Sequence, residues 1–305
     1  MLSAKSLLIC VVGPTAIGKT AMAIEIANTF SAEIVSADSR QFFKEMSIGT
    51  AVPSEAELQA APHHFIQNKS IFEEYSVGDF EGDAIEFLDN YFKSKKVAVM
   101  VGGSGLYVDA VVKGLDVFPE VPPDIRARLN SELCETGIEK LQQELRHADP
   151  AYFTKVDINN PHRLIRALEI CRATGKPYSS FLNKGGVQRN FETLFIGLTA
   201  ERETIYERIN LRVDNMIASG LIEEARALFP YKDKNALQTV GYRELFEYFE
   251  GNLTLDEAIS EIKKNTRRFA KRQNTWFKKN EAITWFDYKT GPSTIIEFIK
   301  EKNAQ

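Results

Sequence analysis

Residues Gly13-Pro14-Thr15-Ala16-Ile17-Gly18-Lys19-Thr20 have the form G-x-x-x-x-G-K-T, a spacing suited to holding phosphate. Loop N–H groups and a helix N-terminus converge on phosphate oxygens, the lysine neutralises terminal phosphoryl oxygens, and the threonine hydroxyl binds a bridging Mg2+. The motif specifies phosphate without specifying which phosphate. NTP hydrolysis, phosphoryl transfer and displacement of a diphosphate leaving group all remain open at this point. A second constellation, Asp38-Ser39-Arg40-Gln41, follows the apolar run Ile34–Ala37. A carboxylate beyond a strand's carboxyl end can hold magnesium through water, take a proton from a nucleophile, or cap a following helix. A third, Val101-Gly102-Gly103-Ser104-Gly105-Leu106-Tyr107, lets backbone approach a ligand, although a tight turn accounts for the glycines equally well. Arg208 and Arg212 lie one helical turn apart and can reach the same anion.

A fourth feature is electrostatic. The stretch Lys263–Lys279 holds eight basic residues and no acidic one in a chain of net charge −4, leaving −12 for the remainder once those eight are subtracted. A basic helical face of this kind is the footprint of a polyanion, because bound Lys and Arg release condensed counterions. The alternative is a solvated face, or one neutralised by acids elsewhere, such as Glu244, Glu247 and Glu250. The acidity of the rest of the chain disfavours nonspecific DNA binding.

These groups require elements to position them. Leu7–Val12 reads as a buried strand feeding the loop, and Ala21–Ala27 as the helix leaving it. Further strands are expected at Ile34–Ala37, Val97–Val101, Leu194–Leu198 and Ala282–Phe286. Strand runs alternating with helices indicate an α/β fold, a P-loop NTPase-like parallel sheet flanked by helices. More than ninety residues without a strand pattern separate the third and fourth strands, beginning at Pro119-Glu120-Val121-Pro122-Pro123. The expected organisation is a core of residues 1–118 and 191–305 with a helical insertion domain at 119–190. Within the insertion, helical patterns cover Asp124–Leu145 and Asn160–Cys171, the second capped by Asn160 and started by Pro161. In the C-terminal third, Ile205, Ile209, Val213 and Ile217 recur every four residues. Thr254-Leu255-Asp256-Glu257 is a capping box opening a long helix with Ile259, Ile262, Phe269 and Trp276 near a seven-residue rhythm.

Composition, at 44% hydrophobic and 26% charged over 305 residues, is that of a globular chain without a membrane span or signal peptide. Cys10, Cys134 and Cys171 form no C-x-x-C pair and no disulfide framework, and no Cys/His spacing suggests zinc. A reduced, cytoplasmic setting and a monomer are expected.

In order along the chain stand the phosphate loop, Asp38–Gln41, Ile48-Gly49-Thr50-Ala51, Pro62-His63-His64, Tyr75-Ser76-Val77, Val101–Tyr107, Arg166-Ala167-Leu168-Glu169, Val240-Gly241-Tyr242-Arg243 and Ala270-Lys271-Arg272-Gln273. This ordered set resembles the bacterial tRNA dimethylallyltransferases, also called tRNA isopentenyltransferases, from about Leu8 to Trp285. The resemblance implies transfer of the dimethylallyl group from dimethylallyl diphosphate to N6 of the adenosine 3′-adjacent to the anticodon, tRNA position 37, in tRNAs reading codons that begin with U. It implies Asp38 as the base, Thr20 as magnesium ligand, Arg212 as a diphosphate partner, and a loop that holds a leaving group in place of an NTP. It further implies a tRNA surface made of Asp38, Ser39, Arg40, Gln41, Ser104, Gly105, His162, Arg163, Leu164, Ile165, Arg166, Gln238, Thr239, Val240, Gly241, Tyr242, Arg243, Arg268, Lys271, Arg272 and Gln273, the insertion clamping the anticodon stem-loop. Four positions depart from the family pattern. Ser104 replaces a common threonine, Phe43 a tyrosine, Val52 a lysine and Gly78 an alanine. The rival readings are a P-loop nucleoside or nucleotide kinase, with Arg208 and Arg212 at the transferred phosphate, and an isopentenyltransferase acting on free AMP, ADP or ATP.

Overall fold

The computed structural model describes residues 5–182 and 187–303. Its sheet has strands β1 (Ser6–Val12), β2 (Ile34–Ser36), β3 (His63–His64), β4 (Val97–Gly102), β5 (Phe191–Thr199) and β6 (Ile283–Asp287), in the order β3-β2-β4-β1-β5-β6. Every pairing is parallel, with β1 central between β4 (Ile9 opposite Val99) and β5 (Ile9 opposite Leu194). This is the P-loop-type α/β sheet that the alternation of strand and helix patterns implies. The five strands expected from apolar runs are present. The sixth, β3, is a two-residue edge strand, too short to show any periodicity.

Strand β1 is apolar from Leu7 to Val12 because both of its faces are covered. Leu7, Ile9 and Val11 pack on one side with Ala23, Ile26 and Ala27 of helix α1 (Lys19–Phe30). Leu8, Cys10 and Val12 join the other side with Phe80, Ala84 and Leu88. These last belong to α3 (Val77–Tyr91), which follows the short α2 (Glu55–Ala60) and precedes α4 (Gly105–Lys113). Since all strands run the same way, the turns after β1, β2 and β4 emerge along one edge, where parallel sheets bind ligands.

A second compact unit comprises Gly114–Val187, and among its described residues it is helical. It contains α5 (Pro123–Thr136), α6 (Ile138–Ala148), α7 (Pro150–Phe153) and α8 (Pro161–Thr174) around Leu129, Leu141, Leu145, Leu164 and Leu168. The single helix expected over Asp124–Leu145 is broken at Gly137, which separates α5 from α6. Helix α8 begins as expected, with the Asn160 side chain accepting from the Arg163 N–H, and runs on to Thr174. Buried Asp149 accepts from Tyr152 N–H and from the N–H and hydroxyl of Ser179. Arg172 spans Glu132 and Glu144 with paired bonds to each.

The remaining helices of the first unit are α9 (Arg202–Ala218), α10 (Leu221–Leu228), α11 (Tyr242–Phe249), α12 (Leu255–Phe277) and α13 (Pro292–Asn303). Helix α12 opens with the reciprocal Thr254–Glu257 capping box. Its buried stripe is Ala258, Ile262, Ala270, Gln273 and Phe277. Phe269 and Trp276, which share the near-seven-residue rhythm, are 39% and 41% exposed.

Candidate active site

The phosphate loop is held in shape by side chains from two distant helices. On α9, Ile205, Ile209 and Val213 are buried, which carries Arg208 and Arg212 together toward the loop. Arg208 Nε donates to Ala16 O at 2.7 Å, and Arg212 Nη1 to Thr15 Oγ1 at 3.3 Å. From α12, Gln273 Oε1 accepts the Thr15 N–H at 2.8 Å. Lys19, the first residue of α1, donates from Nζ to Pro14 O at 2.7 Å. Burial pulls the Lys19 ammonium down to about 8, against the Asp38 carboxylate, which favours the charged form, while Arg212 adds to the depression. Burial likewise lowers the Arg212 pKa, with Asp38 and Glu57 opposing. A pocket lined by such desolvated cations would favour a bound anion.

Asp38 stands one residue beyond the β2–β4 pairing that Ala37 N–H extends by donating to Val101 O. Its Oδ1 accepts from Arg40 N–H at 3.2 Å, and its own N–H donates to Ser36 Oγ at 3.4 Å. No helix starts here, so the helix-capping alternative fails: the carboxylate closes a turn and faces the cavity beside the loop. Ser39 N–H donates to Ser104 Oγ at 3.2 Å, and the two hydroxyls are also 3.2 Å apart. Serine at 104 therefore retains the hydroxyl that ties the β2 and β4 turns together.

Two cavities flank this point. The larger, about 1030 Å³, is lined by Thr15–Ala21 and includes Ile48, Val52, Leu58, Glu57 and Leu211. The smaller, about 470 Å³, is lined by Ser39, Arg40, Gly103–Tyr107, Gln238–Gly241, Arg243, Phe269, Arg272 and Trp276. Thr15, Asp38, Arg212, Met216 and Gln273 line both. A phosphate-bearing molecule on one side and a second reactant on the other would meet at Asp38.

Several residues expected on an RNA surface have other work. Gln41 donates from Nε2 to Thr50 O and Ala51 O and accepts from Ser36 Oγ. Arg40 donates to Asn235 O and Ala236 O, both at 3.1 Å. Leu164 and Ile165 are buried in the core of the helical unit. Tyr242 is fully buried, its hydroxyl donating to Glu224 Oε1 at 2.6 Å. Gln273 is only 5% exposed. Exposed are His162, Arg163, Gln238, Arg243, Arg268, Lys271 and Arg272. Arg166 pairs with buried Glu169, which also takes Arg126, and its guanidinium covers the Phe118 ring.

The basic run of α12 is partly neutralised. Lys263 pairs with Asp214 and Lys264 with Glu261, while Arg267 donates to Asn210 Oδ1. Glu244, expected as a possible partner for the run, takes Asn265 and the Gly241 N–H instead. Glu224 escaped sequence reading: its carboxylate accepts the N–H groups of Ser47, Ile48 and Gly49 besides the Tyr242 hydroxyl. Nothing in its helix, Leu221–Leu228, signals that role. Of the departures, Phe43 is buried among apolar side chains where a hydroxyl would need a partner, and Val52 lines the larger cavity.

A parallel α/β sheet with a phosphate loop, clamped by arginines and facing a carboxylate, is the architecture of a P-loop enzyme. The family model for IPP transferases matches residues 41–280. The chain is 58% identical over 301 residues to the tRNA dimethylallyltransferase of Flavobacterium psychrophilum, covering 97% of this chain and 98% of that one. It is 61% identical over 295 residues to that of Christiangramia forsetii, with the same coverage of each. Among solved structures, the tRNA isopentenylpyrophosphate transferase of Bacillus halodurans superposes with a TM-score of 0.74 at 37% identity, covering 98% of this chain and 97% of that one. A eukaryotic dimethylallyltransferase acting on tRNA gives 0.83 at 25% identity, covering 97% and 80%. The chain belongs to the IPP transferase family, the tRNA dimethylallyltransferases, enzymes that transfer a prenyl group. Among the described residues, no helix is long and apolar enough to cross a membrane.

Proposed function

We propose that this enzyme transfers the dimethylallyl group from dimethylallyl diphosphate to N6 of adenosine 37 in tRNAs reading codons that begin with U, releasing diphosphate in the cytoplasm. The observation that carries this reading is the shared lining of the two cavities, which gives diphosphate and acceptor separate approaches to one carboxylate. As the N6–carbon bond forms, the allylic carbon–oxygen bond breaks and its electron pair passes to the diphosphate. The exocyclic amine is a poor nucleophile until it loses a proton, and Asp38 accepts that proton. Loop N–H groups, Lys19 and Arg212 stabilise the departing charge.

The donor set suits magnesium: Thr20 Oγ1 offers a hard oxygen in the larger cavity, and among the described residues no cluster of His, Cys, Asp and Glu forms a site of its own, so most ligands would come from the diphosphate and water. Bound there, the ion would add charge stabilisation to the leaving group. The target base leaves the anticodon-loop stack to reach Asp38 through the smaller cavity. The helical unit, through His162, Arg163 and Arg166, contacts the anticodon stem-loop.

The test offers the purified enzyme dimethylallyl diphosphate and magnesium with unmodified tRNA, or with AMP, ADP or ATP, and reads digested nucleosides by mass. Prenylated adenosine from tRNA alone is expected. Product from free nucleotides would reassign the acceptor, and ATP turnover without prenyl transfer would restore the kinase reading.

A further inference from the structure

The side chain of Gln273 lies on the most basic helix of the chain, yet it faces inward. We propose that Gln273 is a positioning residue that couples the acceptor face of α12 to the phosphate loop, so that RNA and diphosphate each strengthen binding of the other. This rests on the function proposed above.

The two ends of its amide are spent on two different loops. Oε1 accepts the Thr15 N–H of the phosphate loop at 2.8 Å, and Nε2 donates to Gly103 O, at the end of β4, at 3.0 Å. Glycine at 103 leaves room for this arrangement: a Cβ there would lie 2.2 Å from Nε2 and would push the amide aside. One turn further along α12, Trp276 closes over Gly105 in the same way: a Cβ at 105 would lie 2.2 Å from Trp276 Cδ1. Trp276 Nε1 donates to Asp109 Oδ2 at 2.8 Å. The β4 glycines are therefore shaped for close approach of α12.

The neighbours of Gln273 face the acceptor. Arg272, Phe269 and Trp276 line the smaller cavity, and Arg272 and Lys271 are exposed. An RNA seated against them fixes the helix that carries the amide. Thr15 has its N–H held from α12 and its hydroxyl held by Arg212 from α9, so an RNA that steadies α12 also steadies one of the two bonds that order the loop. A diphosphate binding to a loop already ordered loses less freedom, and the gain is reciprocal by linkage. Removing the amide leaves Thr15 N–H and Gly103 O without their buried partner, loosening the loop at the point where the two cavities meet.

The experiment is calorimetric titration of inorganic diphosphate with magnesium into the full-length enzyme, with and without saturating unmodified anticodon stem-loop RNA. RNA affinity and melting temperature are measured in parallel. RNA is expected to tighten diphosphate binding about fivefold or more in the unmodified enzyme. Gln273→Met should lose about tenfold in diphosphate affinity and abolish most of the coupling, while RNA affinity stays within about twofold. In turnover, KM for dimethylallyl diphosphate should rise more than KM for RNA. Gly103→Ala, which displaces the amide from the opposite side, should give the same signature, and it serves if Gln273→Met does not fold. Loss of RNA affinity with unchanged diphosphate affinity would make Gln273 an RNA contact and overturn the proposal, as would undiminished coupling in either variant or no coupling in the unmodified enzyme. Prenyl transfer is read separately on nucleosides, so failure of the proposed function and failure of the coupling are distinguishable.

Discussion

The two cavities that converge on Asp38 are built differently. The larger is lined by consecutive residues, Thr15–Ala21, with Lys19 among them and with Arg208 and Arg212 arriving from a single helix. The smaller gathers Ser39 and Arg40 from the β2 turn, Gly103–Tyr107 from the β4 turn, Gln238–Gly241 ahead of α11, and Phe269, Arg272 and Trp276 from α12. An anion needs only converging N–H groups and charge, which one short loop can supply. A flat base needs walls and a stacking surface, and these come from separate segments. The loop's own contribution to the larger cavity is thus local, while its arginines and the walls of the smaller cavity are tertiary.

The sharpest break of this comparison lies at the shared point. Asp38→Ala should reduce prenyl transfer by about 10³-fold, measured as modified nucleoside per unit time, while binding of both diphosphate and RNA stays nearly intact; normal turnover would remove Asp38 as the base. On the diphosphate side alone, Lys19→Ala should cost about 10²-fold in transfer without changing RNA affinity. The same side should show a pH signature. Diphosphate prefers the charged ammonium, so its affinity should be full below about 8, the value to which burial pulls Lys19. Above that pH affinity should fall about tenfold per unit until the pKa of the bound complex is reached, and binding should take up protons; a flat profile to pH 9.5 would show that Lys19 does not titrate there.

On the acceptor side, Trp276→Ala should weaken RNA binding about tenfold through lost stacking, with diphosphate affinity of the free enzyme unchanged. An equal loss in both would dissolve the distinction between the cavities. The smallest effects belong to the exposed charges. Lys271→Ala or Arg272→Ala should weaken RNA a few-fold and reduce the slope of log affinity against log salt by about 1. Lys263→Ala should do less, because Asp214 already neutralises that side chain.

How far the chain could be read without coordinates differs between these same regions. The strand, loop and helix from Leu7 to Phe30 were legible because burial on both faces writes a continuous apolar run, and phosphate binding writes a fixed local spacing. Asn160-Pro161 and Thr254–Glu257 were legible for the same reason: caps are satisfied within a few residues. The break at Gly137 was hidden because leucines on both sides continue a helical spacing. The near-seven-residue rhythm of Phe269 and Trp276 did not say which face of the helix they take, and both are partly exposed.

Residue order and type by themselves determined the parallel α/β sheet, the phosphate loop and a concentrated basic helix. These follow from short-range rules of periodicity, capping and charge. Only the tertiary structure decided that Gln273 and Gln41 serve loops, that Tyr242 and Leu164 are core, and that Glu224 holds the Ser47–Gly49 backbone. The Gln273 amide and the Glu224 carboxylate find partners 258 and 177 residues away in the chain, and their own neighbours in sequence carry no trace of which backbone N–H they will meet.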